Sequence, residues 1–139
     1  MRQALGRLTV ETAGGDLTDV TDRIARWLDQ QGLADGLLTI FCRHTSASLL
    51  IQENADPDVQ RDLIAYFRRL VPEGDPLYVH TAEGPDDMPA HVRAALTQTH
   101  LSIPFERGRM VLGTWQGIYV FEHRRRPHRR ELVLHALGD

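Results

Sequence analysis

"GTWQGIYVFEH", residues 113–123, is the stretch on which the fold turns. Ile118 and Val120 alternate with their neighbours as residues of a half-buried strand do. The ends are unusual for such a strand. An indole and an amide, Trp115 and Gln116, sit between two glycines, and Glu122 and His123 close the run. Neighbouring positions on a strand point to opposite faces, so this acid and imidazole serve different sides unless a bulge intervenes.

Working outward, the C-terminal third keeps a period of about 2. "LSIPF" (101–105), "RMVLG" (109–113), "GIYVFEH" (117–123) and "ELVLHAL" (131–137) are four candidate strands with short connections, hence antiparallel. Glu106-Arg107-Gly108 suits a hairpin turn. Upstream, residues 3–12 alternate around Leu8 and Val10, and Gly14-Gly15-Asp16 is a turn. Thr18 or Thr21 caps a helix with Val20, Ile24, Trp27 and Leu28 on its apolar face and Gly32 as its stop. "LLTIFC" (37–42) and "LLIQE" (49–53) are further strands. Asp56-Pro57-Asp58 starts a helix carrying Val59, Leu63, Phe67 and Leu70, closed by Pro72. Asp87-Met88-Pro89 opens a third, shorter helix with His91, Val92, Ala95 and Leu96. The fold class is α+β: a mainly antiparallel sheet with two or three covering helices. The length of 139 residues predicts a single domain over residues 1–139.

Hydrophobic residues make up 42% and charged residues 25%, the profile of a soluble globular chain. A net charge of −3 gives no global signal for nucleic acid. With one cysteine, Cys42, no intrachain disulfide forms and a reducing compartment is expected. No apolar run approaches the roughly 18 residues of a membrane span, and the N-terminus has no signal-like apolar region. The expectation is a cytoplasmic protein without membrane or nucleic-acid partners.

Three segments carry chemistry. "CRHTSASLLIQENADPD" (42–58) joins two strands through His44, Thr45, Ser46 and Ser48 and reaches Asn54 and Asp56. Hydroxyls and backbone N–H groups in such a loop hold an oxyanion, or else satisfy the turn itself. "HTAEGPDDMPAH" (80–91) gathers His80, Glu83, Asp86, Asp87 and His91, a density that suits a divalent metal or an acid–base site with Glu83 and Asp87 as the acids. The third is the opening strand with its basic tail, where Arg124, Arg126 and Arg129 offer bidentate forks to phosphate. Cys42 ends an apolar run, which predicts a buried, inert thiol.

The segments "HTSASLLIQENADPDVQRDL", "EGPDDMPAHVRAAL" and "LSIPFERGRMVLGTWQGIYVFEHR", in this order, resemble the YjbQ family, also called UPF0047. "GRMVLGTWQGIY" is the most specific of them. The resemblance implies a YjbQ-like α+β chain that forms a homotrimer, with histidines at subunit boundaries able to bind a metal. It also implies a secondary thiamine-phosphate synthase activity, in which a pyrimidine diphosphate joins a thiazole phosphate and pyrophosphate leaves, normally with a divalent cation. Many members read His-Asp where this chain reads His80-Thr81, so His80 is left out of the expected site.

The expected site is then specific. His44, His91 and His123, one from each segment, converge on a divalent ion, zinc or magnesium. Ser46, Ser48, Asn54, Arg124, Arg126 and Arg129 bind a small phosphorylated molecule, with Gln116 beside it. Trp115 either stacks on a heteroaromatic ring of the ligand or anchors the trimer. The leading reading is a metal-assisted transferase. The alternatives are a metal-dependent hydrolase of phosphorylated metabolites and a non-enzymatic trimeric metal- or anion-binding protein.

Overall fold

The computed structural model describes residues Met1–Asp139. Eleven elements follow one another: β1 (Arg2–Thr12), β2 (Leu17–Asp19), α1 (Thr21–Gln30), β3 (Gly36–Cys42), β4 (Ala47–Glu53), α2 (Pro57–Leu70), α3 (Asp87–Leu96), β5 (His100–Glu106), β6 (Arg109–Met110), β7 (Gln116–Glu122) and β8 (His128–Gly138). The strands form two sheets, of order β1-β8-β3-β5-β6 and β2-β7-β4, and every pairing is antiparallel. The α+β expectation therefore holds, with two sheets where the sequence reading had one. Chain-adjacent β6, β7 and β8 are not neighbours: the chain leaves the first sheet for the second and returns.

The opening stretch lies at the centre of this arrangement. Gly117 through Glu122 are all buried, so β7 is covered on both faces and is not half-buried. One face sends Ile118 and Val120 into an apolar cluster with Leu38, Ile40, Leu132 and Leu134 of the larger sheet. The other presents Phe121 to Phe67 of α2, edge to face at 5.4 Å, and the Tyr119 hydroxyl to Gln60 Nε2 at 3.0 Å. Helix α1 adds Ile24 and Leu28 to the cluster beside the small sheet. Its Trp27 lies over Gly6, where a Cβ would run into the indole.

Caps and turns follow local chemistry. Asp56 Oδ1 accepts from Asp58 N at 2.9 Å, with Pro57 in the first turn of α2, as expected. For α1 the cap differs. Asp19 Oδ1 accepts from Thr21 N and Oγ1, and Thr18 belongs to β2. Thr21 Oγ1 instead accepts from Ile118 N at 2.8 Å, tying the helix start to β7. Helix α3 turns a different face inward than its apolar residues indicated: Asp87, Pro89, Ala90 and Ala94 are buried, and Leu96 is exposed. That rotation aims the buried carboxylate of Asp87 at the site described next.

Candidate metal centre

Three side chains from the 80–91 segment meet. Asp87 Oδ2 lies 2.7 Å from His80 Nε2 and 3.1 Å from His91 Nε2, and the three potential ligand atoms are all within 4.8 Å of one another. Asp87 and His91 stand one helical turn apart on α3, so they share a face. His80 arrives from the loop before the helix. No other group of three histidines, cysteines or carboxylates is placed to hold a metal.

Two of the three candidate ligands, His91 and Asp87, are themselves held. His91 Nδ1 lies 3.0 Å from the Thr45 carbonyl, an acceptor, so Nδ1 carries the proton and donates. Nε2 is then the unprotonated nitrogen, the form a metal requires. Asp87 Oδ1 accepts from Arg124 Nη1 at 2.7 Å. Arg124 Nε donates to Asp86 Oδ2 at 3.0 Å, and Nη2 donates to the Glu83 carbonyl at 3.0 Å. Burial raises the Asp87 carboxyl, but the hydrogen bond from His80 and the positive charge of Arg124 outweigh it and hold Asp87 below its ordinary value. Burial likewise opposes Asp86, whose bonds from Arg124 and Arg125 N hold it at about 2.

A test of fit comes from the protons. His91 Nε2 and Asp87 Oδ2 are both acceptors when the imidazole is neutral and the acid ionised. Two acceptors at 3.1 Å repel unless a proton or a cation lies with them. Two imidazoles and one carboxylate are a donor set suited to zinc, whereas magnesium takes oxygen ligands.

The expected three-histidine convergence does not occur within the chain. His123 is buried, with Nε2 2.8 Å from Ser48 Oγ and its ring 4.3 Å from that of Phe121. Strand alternation explains this: Glu122 faces the large sheet and His123 faces the helices, with no bulge to reunite them. His44 lies on the loop after β3, where Nε2 accepts from Glu131 N at 2.8 Å. Only His91 of the three is in the cluster. His80, set aside for its missing acidic neighbour, is in it; its position seven residues before Asp87 in the densest polar segment was the available signal.

The other expected site residues are dispersed. Ser46 Oγ accepts from the buried Arg130 at 3.0 Å, and Ser48 Oγ accepts from Thr97 Oγ1 at 2.7 Å, so both hydroxyls serve internal contacts. Asn54, Trp115 and Gln116 gather at the far end of β7, where Asn54 N donates to the Trp115 carbonyl at 3.0 Å. Six strand steps, about 20 Å at ~3.3 Å each, separate Gln116 from Glu122. Trp115 is 62% exposed. Arg129 pairs with Glu11 on the surface at 3.1 Å. Arg124 is occupied by Asp86 and Asp87. Arg126 and the exposed Glu83 line a concavity of about 360 Å³ with Asp86, Arg124 and Arg125. His80 lines a neighbouring one of about 250 Å³ with Tyr78, Thr81 and Met88. A larger concavity of about 460 Å³, between α1 and the β5–β6 hairpin, contains none of these groups.

Two antiparallel sheets stacked under helices, with a histidine–aspartate cluster at the start of α3, define a YjbQ-like α+β protein. The chain belongs to that family: the family model described as UPF0047 protein YjbQ-like matches residues 6–139. A UPF0047 protein of Synechocystis sp. is 51% identical over 138 residues, covering 99% of this chain and 94% of its own. The UPF0047 protein YjbQ of Escherichia coli O157:H7 is 41% identical over 86% of this chain and 87% of its own. Among solved structures, a conserved YjbQ/UPF0047 protein from Clostridium acetobutylicum superposes with a TM-score of 0.85 at 35% identity, over 95% of this chain and 99% of its own. A hypothetical protein from Aeropyrum pernix gives 0.89 at 31% identity, over 98% and 99%. These likenesses carry family and fold; the chemistry rests on the side chains. No helix is long and apolar enough to cross a membrane.

Proposed function

We propose that the protein is a metal-assisted enzyme acting on phosphorylated heterocyclic metabolites, with a thiamine-phosphate-synthase type of transfer as its reaction. The observation that carries this reading is the 3.1 Å approach of two acceptors, His91 Nε2 and Asp87 Oδ2, beside His80. His80, Asp87 and His91 would hold a divalent ion of zinc type. When bound, the ion offsets charge on phosphoryl oxygens and on a pyrophosphate leaving group. Arg124 keeps Asp87 oriented by occupying its other oxygen. Arg126, exposed and without a protein partner for its side chain, is free to bind phosphate oxygens at the rim.

In the transfer, the thiazole nitrogen forms a C–N bond to the pyrimidine methylene while its C–O bond breaks. Pyrophosphate leaves with the electron pair, and no proton needs to move. Hydrolysis is the second reading, favoured by Glu83: its carboxylate is exposed, borders the same concavity and has no side-chain partner, so it is free to take a proton from water. Asp87, with both oxygens engaged, suits the ligand role better than that of base.

We further propose a homotrimer. The outer face of the large sheet carries Leu5, Leu37, Phe41 and Leu137, 41–68% exposed. Leu37 pairs directly with Leu137 across β3 and β8. Leu77 and Val79, in the loop leading to His80, are 86% and 96% exposed. Such surfaces favour cover by other copies of the chain.

Zinc content after chelation and reconstitution tests the centre. Near-stoichiometric zinc is expected in the wild type and little in His91→Ala or Asp87→Ala. Equal content in all three removes the cluster from the mechanism. Product formation from a pyrimidine diphosphate and a thiazole phosphate at catalytic protein levels separates the enzyme from a binding protein.

A further inference from the structure

The loop between β3 and β4 holds a second mismatch of hydrogen-bonding groups, opposite in sign to the one at Asp87. Glu131 N–H donates to His44 Nε2 at 2.8 Å, so that nitrogen is unprotonated and a neutral imidazole carries its proton at Nδ1. Arg130 Nη1 nevertheless faces the same Nδ1 at 3.5 Å. The two nitrogens therefore meet donor to donor.

Neither group is free to turn away. Arg130 Nε donates to Glu122 Oε1 at 2.8 Å, and Nη2 donates to Glu122 Oε2 and to the Ser46 carbonyl and Oγ at 3.2 and 3.0 Å. Its side chain is only 6% exposed. His44 is fixed by the β8 backbone through Glu131. Charging the ring would add a donor to the mismatch, and burial followed by the Arg130 charge lowers its pKa, which keeps it neutral. Both side chains border an open concavity of about 610 Å³, which Arg43, Thr45 and Thr99 also line.

We infer that this concavity is an oxyanion subsite, in which a phosphate-type oxygen accepts at once from His44 Nδ1–H and Arg130 Nη1–H. Such an oxygen converts the donor–donor contact into a two-donor cradle. Arg130 is well suited: Nε and Nη2 are spent on the protein, and Nη1 alone is left for a ligand. The subsite backs onto the metal cluster through one loop, since Thr45, next to His44, supplies the carbonyl that fixes His91. The inference rests on the proposed reading for its ligand class, a phosphorylated substrate. The hydrogen-bond mismatch stands without the cation.

The experiment uses the full chain stripped of metal by a chelator, with inorganic phosphate as the probe. Imidazole ¹⁵N spectra of the wild type are expected to show His44 protonated at Nδ1, with that resonance shifting saturably as phosphate is added. Phosphate affinity by calorimetry should fall at least about tenfold in His44→Phe and stay unchanged in Arg61→Ala, which removes an exposed arginine of α2 far from the loop, a tenfold loss being the size of one good hydrogen bond. An Nε2-protonated His44, a resonance that ignores phosphate, or equal affinity in His44→Phe each overturns the subsite. The wild-type spectra remain decisive if His44→Phe folds poorly. Because the metal is absent throughout, failure of the cation reading leaves these outcomes intact.

Discussion

Arg124 Nη1 and Asp87 Oδ1 form a 2.7 Å ion pair that turns the other oxygen of Asp87 toward His80 and His91. The pair is well shielded, with side chains 12% and 3% exposed, and the same guanidinium bonds Asp86. Breaking one partner of such a pair leaves an uncompensated charge in a poor solvent. Arg124→Leu should therefore lose about 3 kcal/mol of stability in urea unfolding. A loss under about 1 kcal/mol, the size of a surface pair, would show that water replaces the arginine and that it does not orient the cluster.

Asp86 gives the site an acid limit. Its folded pKa of about 2 lies below the ordinary aspartate value of 3.8, so the ionised form is favoured by folding. That contribution is fully present above pH 3.8 and disappears as pH falls through about 2. The shift corresponds to about 2 kcal/mol. Denaturant unfolding between pH 5 and pH 2 should show wild type losing this much more stability than Asp86→Asn. Parallel curves for the two proteins would mean that Arg124 and Arg125 N do not favour the charged form.

Much of the fold was legible because local chemistry was consistent. Asp56-Pro57-Asp58 starts α2 with the cap that the residue types indicate, and β1, β3, β4, β5 and β8 fall where apolar alternation or apolar runs placed them. Strand β7 was misread on one point. Alternation of Ile118 and Val120 signals one apolar face, and says nothing about helices arriving to bury Tyr119, Phe121 and His123 on the other. The three histidines do not meet within one chain for a related reason. Ends of strands look equivalent in a sequence, yet His44 and His123 are each absorbed by a long-range partner, Glu131 N and Ser48 Oγ. The cluster that does form is local, built from an i, i+4 pair and a nearby loop, and its density in residues 80–91 was the one signal that survived.

His123 should act as a second pH-dependent element. Burial, followed by the charge of Arg93, lowers its pKa to about 3 from 6.5. The unfolded chain therefore binds a proton that the folded chain refuses between those values. Stability is complete above pH 6.5 and falls as pH drops toward about 3, with a slope approaching ~1.4 kcal/mol per pH unit from this residue. Replacing His123 with Asn should remove that slope between pH 6 and pH 4 in urea titrations. If wild type and variant respond alike, the imidazole gains a proton in the folded state and its packing against Phe121 is looser than 4.3 Å implies.

The assembly proposal is tested on the outer sheet face. Phe41 and Leu137 are 45% and 41% exposed in the isolated chain, each beside another apolar residue across the strand pair: Val133 for Phe41 and Leu37 for Leu137. A carboxylate at either position would be stranded without solvent if copies pack there, whereas on a free surface it changes stability by roughly 0.5 kcal/mol or less. Sedimentation equilibrium should give a trimer mass for the wild type and a monomer mass for Phe41→Glu/Leu137→Glu at the same micromolar concentration, with circular dichroism of the variant unchanged. A trimer that survives both substitutions moves the interface elsewhere, to the loop carrying Leu77 and Val79 or to the exposed side of α2. A wild type that sediments as a monomer ends the trimer proposal.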